Sequence, residues 1–142
     1  MNNELNSAHM LLEQNGYTCV IKSGETVYTS FERGVKPLLQ LLDDGTDCAG
    51  FFAADKVVGR AAAFLYCLLR VRSVYASVIS KPALQVLTEQ GIDVVYGDLV
   101  DAIKNRAGTG FCPMETAVLT ESDPMNALGR IRVRLEELRR GQ

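Results

Sequence analysis

Apolar residues recur at helical spacing over residues 5–14, where Leu5, Ala8, Leu11 and Leu12 share one face and Asn15-Gly16 supplies a stop. The period then changes. Residues 17–22 and 26–31 are rich in β-branched and aromatic side chains, and Ser23-Gly24-Glu25 makes a short turn between them, so an antiparallel hairpin is predicted. A second helix is predicted over 35–43, with Pro37 in its first turn, Leu38, Leu39, Leu41 and Leu42 inward, and Asp44-Gly45 at its end. Beyond it the pattern becomes strand, helix, strand, helix, strand over 48–54, 57–70, 73–79, 81–90 and 93–96. These strands are almost continuous apolar runs, as a parallel sheet covered on both faces requires, and right-handed crossovers then limit the topology. The helix over 57–70 is apolar nearly all round, which makes it the central helix of a layered structure.

Downstream, Asp98 is positioned to cap a short helix running through Asn105, and Gly108-Thr109-Gly110 reads as a loop. Cys112-Pro113-Met114-Glu115 opens another helix with proline at its first position, and Ser122-Asp123-Pro124 opens the last one. In that last helix Leu128, Ile131, Leu135 and Leu138 form one seam. Such a seam packs on its own domain or, less commonly, holds a second copy in a homodimer. The whole of 1–142 reads as a single domain, with a core over about 5–97 and a C-terminal helical extension over 98–142.

Composition narrows the partners. With 17 acidic and 15 basic residues the formal charge is −2, so no overall basic field draws the chain onto nucleic acid. Arg130, Arg132, Arg134, Arg139 and Arg140 crowd the last helix, and a solvated helix face accounts for them. The start of the chain has no signal-peptide pattern and no run of about 18 apolar residues follows, so a cytoplasmic protein with no membrane association is expected. Cys19, Cys48, Cys67 and Cys112 are widely separated and form no C-x-x-C pair, which suits reduced, packed thiols.

Candidate chemistry gathers where strand turns to helix. Asp55 can cap the free N–H groups of the central helix, while Lys56 and Arg60 place two cations in its first turns, where the helix dipole disfavours them. With Gly59 allowing close approach, this end suits a small anionic ligand such as a nucleotide or another phosphate. The plain alternative is an internal Asp55–Arg60 ion pair, with Gly59 making room for a neighbouring helix. Asn105, Arg106 and Thr109 can add donors to the same ligand, although turn chemistry alone also explains their loop. Cys112 at a helix start and Glu115 nearby form an alternative thiol or acid–base centre, against simple packing for Cys112 and a capping box for Glu115. No cofactor and no metal site is expected.

The order of helix, hairpin, helix and strand-helix-strand-helix-strand resembles the cytidine deaminase-like fold over residues 5–97. Residues 55–63, Asn105-Arg106, 110–115 and Asp123-Pro124 resemble the bacterial family known as domain of unknown function 1893. The resemblance implies a three-layer α/β/α arrangement, a mixed five-stranded sheet of one antiparallel hairpin and three parallel strands, and extra C-terminal helices. Deaminases of this fold hold zinc through His-x-Glu or Cys-x-Glu at one helix start and Pro-Cys-x-x-Cys at the next. Here those places read Glu32-Arg33-Gly34-Val35 and Ala54-Asp55-Lys56-Val57-Val58, without thiolate or imidazole, so a zinc deaminase is rejected. His9 lies in the first helix, away from either place.

Overall fold

The structure is a computed structural model that describes residues 3–105 and 107–141. Its elements run α1 (Asn3–Asn15), β1 (Cys19–Ser23), β2 (Thr26–Ser30), α2 (Lys36–Asp43), β3 (Phe52–Val58), α3 (Arg60–Leu69), β4 (Ser73–Ser80), α4 (Lys81–Glu89), β5 (Asp93–Val100), α5 (Pro113–Ala117) and α6 (Pro124–Arg140). The sheet has five strands in the order β2-β1-β3-β4-β5. β1 is antiparallel to both β2 and β3, whereas β3, β4 and β5 are mutually parallel. The hairpin and the parallel strands read from the sequence are thus joined in one mixed sheet, with the hairpin on one side and the parallel strands on the other.

Burial explains the layering. On one face α1 sets Ala8 and Leu12 against Val20 and Ala54. Its first turn is tied to the hairpin, because Glu4 accepts from the buried Lys22 ammonium and from Gly24 N–H, both at 3.1 Å. On the other face α3 carries Phe64, Leu65, Tyr66 and Leu69 into a cluster with Ile21, Ala53, Val74 and Ala76. Two crossovers progressing in the same direction along the sheet put α3 and α4 side by side on that face. α6 then closes over α3 through Ala127 and Ile131. The seam of Leu128, Ile131 and Leu135 thus packs on its own domain, and Leu138 sits at its exposed end.

Two strands run further than expected, and each extension has a local cause. β3 continues through Asp55 and Lys56 to Val58, so Asp55 is a strand residue and does not cap α3. A polar pair inside an apolar strand reads as a stop, but Asp55 is buried with partners while Lys56 projects outward, as strand alternation allows. β5 likewise runs on through Gly97 and Asp98, so the short helix expected after Asp98 does not form. A Cβ on Gly97 would lie 2.8 Å from the Ser77 carbonyl oxygen, so the glycine serves strand pairing at close range instead of a turn. The C-terminal predictions hold: Pro113 opens α5, and Asp123 caps α6 by accepting from Asn126 N–H at 2.9 Å.

Candidate functional site at the amino end of the central helix

α3 begins at Arg60 with Gly59 in the capping position, and glycine has no side chain with which to satisfy the free N–H groups of the first turn. Glu115, from α5, supplies the missing acceptor. Its Oε1 accepts from Arg60 N–H at 2.6 Å and its Oε2 from Ala61 N–H at 3.0 Å. The carboxylate thus lies across the positive end of the helix dipole, where negative charge is favoured. A Cβ on Gly59 would come within 2.5 Å of the carboxyl carbon, so the close approach that glycine allows is used by the protein's own side chain. Glu115 therefore caps α3, across 55 residues of sequence, and not its own helix. Burial raises its pKa, opposed by the Ala61 and Arg60 N–H bonds and the Arg60 charge.

The Arg60 side chain turns away from this carboxylate toward the C-terminal segment. Its Nε donates to the Val118 carbonyl at 3.1 Å, and its terminal nitrogens donate to the Pro82 and Glu121 carbonyls. The guanidinium also lies 5.1 Å from the Phe64 ring centroid. Arg60 is thus a clamp that ties the ends of α5 and the following loop to α3. Truncation in Arg60→Ala removes three hydrogen bonds from a part-buried cation, so chemical denaturation should register a loss of about 2–3 kcal/mol.

Asp55 occupies a different environment from the one expected. It has no ion pair with Arg60; its Oδ2 accepts from Tyr66 O–H at 2.7 Å, and its Oδ1 from Val57 N–H at 3.2 Å. The Tyr66 hydroxyl also touches Cys19 Sγ at 3.4 Å, from the strand residue paired with Asp55. Among the described residues no cation partners this carboxylate, and burial pushes its pKa up to about 7 against the opposing Tyr66 and backbone hydrogen bonds. Burial raises Tyr66 and Cys19 as well, so all three groups of this inward-facing network hold their protons more tightly than they would in water.

The remaining candidates separate. Lys56 is exposed in β3 and does not join Arg60 at the helix end. Asn105 Oδ1 accepts from Thr109 N–H at 3.1 Å, and Asn105 Nδ2 lies 3.3 Å from Thr109 Oγ1, so these two close their own turn. Arg106 lies outside the described residues. Cys112 stands at the N-cap of α5 and uses its carbonyl to accept from Glu115 and Thr116 N–H, while its side chain packs at the edge of the main cluster. The imidazole that a thiol enzyme would need lies elsewhere: His9 stacks on Tyr75 at 3.6 Å, and Tyr75 packs in the α1 cluster. Among the described residues no three His, Cys, Asp or Glu side chains are grouped to hold a metal ion. The role of Glu115 toward α3 was missed, although a glycine at a helix start with no capping side chain of its own is a readable request for an acceptor from elsewhere.

Fold and site define an α/β protein whose central helix is capped by a carboxylate from its own C-terminal region. The chain belongs to the DUF1893 family, whose model matches residues 7–135. It is similar to a solved DUF1893 family protein from Thermotoga maritima, at 31% identity and a TM-score of 0.85, covering 96% of this chain and 91% of that one. No curated protein matches the chain. Among the described residues no helix is long and apolar enough to cross a membrane.

Proposed function

We propose that the protein is a zinc-free, cytidine deaminase-like binding protein that takes a small carboxylate or phosphate anion, nucleotides included, at the amino end of α3. The antiparallel hairpin beside three parallel strands, with a helix start at the carboxyl end of β3, supports the fold assignment. One observation carries the binding reading: a carboxylate already sits there, held by two backbone N–H groups over a glycine. That carboxylate belongs to Glu115, so it acts as a resident competitor, and an incoming anion must displace it. The seat comprises Gly59 and the N–H groups of Arg60 and Ala61, with Glu115 as its gate. Lys56 is too exposed, and the Arg60 guanidinium too fully bonded, to form its floor.

Calorimetric titration with pyrophosphate, AMP and ATP tests the reading. Glu115→Ala should bind at least one of them about tenfold more tightly than the wild type, since the competitor is gone, and Gly59→Ala in that background should abolish the gain by filling the seat. No heat from either protein, or equal affinity in both, would sink the proposal.

A further inference from the structure

β2 and β5 are the edge strands of the sheet, and only one of them is guarded. β5 carries Asp93 and Asp98, both exposed, and charge on an edge strand discourages further pairing. β2 reads Thr26-Val27-Tyr28-Thr29-Ser30, without charge, proline or glycine. Its register sets Thr26, Tyr28 and Ser30 opposite Ser23, Ile21 and Cys19 of β1, and the Ser30 carbonyl accepts from Thr18 N–H at 2.8 Å. By the alternation of an antiparallel ladder, Val27 and Thr29 therefore turn their backbone N–H and C=O groups away from the sheet, ready for another strand. Their side chains share a face. Tyr28 packs toward Phe51 in the main core cluster, so Val27 and Thr29 point to the α1 side, as does Phe31, whose ring lies 4.8 Å from Tyr17 in the α1 cluster. α1 lies over β1 and β3, which leaves Val27 39% and Phe31 66% exposed.

Charge at the two ends of this strand says what pairs with it. Glu25 precedes β2 and Arg33 follows it; both are exposed, and among the described residues neither has an ion-pair partner. We propose that β2 pairs antiparallel with β2 of a second copy of this chain, about a two-fold axis through Thr29, so that the two sheets become one. In this register Thr29 faces Thr29 as a hydrogen-bonded pair, Val27 faces the other copy's Phe31, and Glu25 faces the other copy's Arg33. The strand read backwards thus supplies an apolar partner for each exposed apolar residue and an opposite charge for each free one. Glu32 falls opposite the neutral Thr26. An axis through Tyr28 would instead set Glu25 against Phe31, so charge and apolarity both select Thr29. The contact is isologous and closes at two subunits. Residues 27–31 paired in this way span roughly 17 Å, which places the interface at the low end of specific contacts and makes the dimer a reversible one.

Sedimentation velocity from about 5 to 500 µM on the full chain tests the proposal. The wild type should pass from monomer toward twice its mass across that range. Glu25→Arg and Arg33→Glu, each made alone, set like charges opposite one another and should raise the dissociation constant by about fivefold or more. Made together they restore opposite charges, and the constant should return to within about twofold of the wild type. Val27→Lys, a change at an exposed position, should remain monomeric with an unaltered circular dichroism spectrum. A wild type that stays monomeric to about 500 µM, a dimer indifferent to Val27→Lys, or a double exchange no better than the single ones overturns the proposal. None of these positions belongs to the seat at α3, so the outcome is independent of anion binding there.

Discussion

Gly59→Ala is expected to destabilise the protein by about 2–3 kcal/mol, and backbone strain is not the cause. The Gly59 backbone is extended, at φ −96° and ψ −179°, so an L side chain meets no conformational penalty. Restriction of the unfolded chain favours alanine by about 0.4–1 kcal/mol, which offsets the poorer capping preference of alanine at a helix start. The loss comes from collision: the new methyl would stand 2.5 Å from the Glu115 carboxylate, which must leave the Arg60 and Ala61 N–H groups to make room. Two charge-assisted bonds at a half-buried helix end are forfeited together. Glu115→Ala alone should cost a similar amount. The decisive measurement is the double variant, studied by urea denaturation. If the two residues act through the same contact, Gly59→Ala should be neutral or slightly stabilising once Glu115 is alanine. Equal losses in both backgrounds would mean that Glu115 is not the cap.

The second large effect concerns acidity at Asp55. Its folded pKa of about 7 lies above the ordinary value of 3.8. The native state therefore binds a proton more tightly than the unfolded chain, and the resulting stabilisation is fully present below pH about 4. It is lost as pH rises through 7. Integrated over that window, the linkage is on the order of 4 kcal/mol. Glu115 is also raised by burial and contributes with the same sign, so the useful quantity is the difference between wild type and Asp55→Asn. Asparagine keeps an acceptor for the Tyr66 hydroxyl without ever ionising. Thermal unfolding at pH 5 and pH 8 should show a much smaller fall in stability for the variant than for the wild type. A variant that keeps the full wild-type fall would place the titration elsewhere.

How far the sequence carried the reading depends on which interactions were local. Apolar runs such as 73–79 and the all-round apolar helix around Phe64 and Leu65 mark parallel strands and a central helix directly, because burial on both faces leaves no polar period. The hairpin and the Asp123-Pro124 helix start were legible for the same reason, since turn and cap chemistry act within a few residues. Asp55 was misplaced because its partners, Tyr66 and the paired Cys19, lie in other elements. An aspartate before an apolar helix looks like a cap until the buried tyrosine that donates to it is known. At the candidate site, Gly59, Arg60 and Glu115 were each visible as unusual residues, and the structure brings them together. What sequence spacing cannot supply is the pairing itself: whether the negative charge answering α3 comes from a ligand or from residue 115.

The clasp between α3 and the C-terminal segment also bears on how the chain divides. Residues after β5 look like an appendage to a finished sandwich, yet they supply the acid that covers the first N–H groups of the innermost helix, the carbonyls that receive Arg60, and the Ala127 and Ile131 lid over its flank. A chain ending at Val100 would leave its most buried helix bare at one end and along one side. Appendage and sheet therefore share one packed core, and a fusion is expected to disturb it less beyond Arg140 than at the junction behind the sheet.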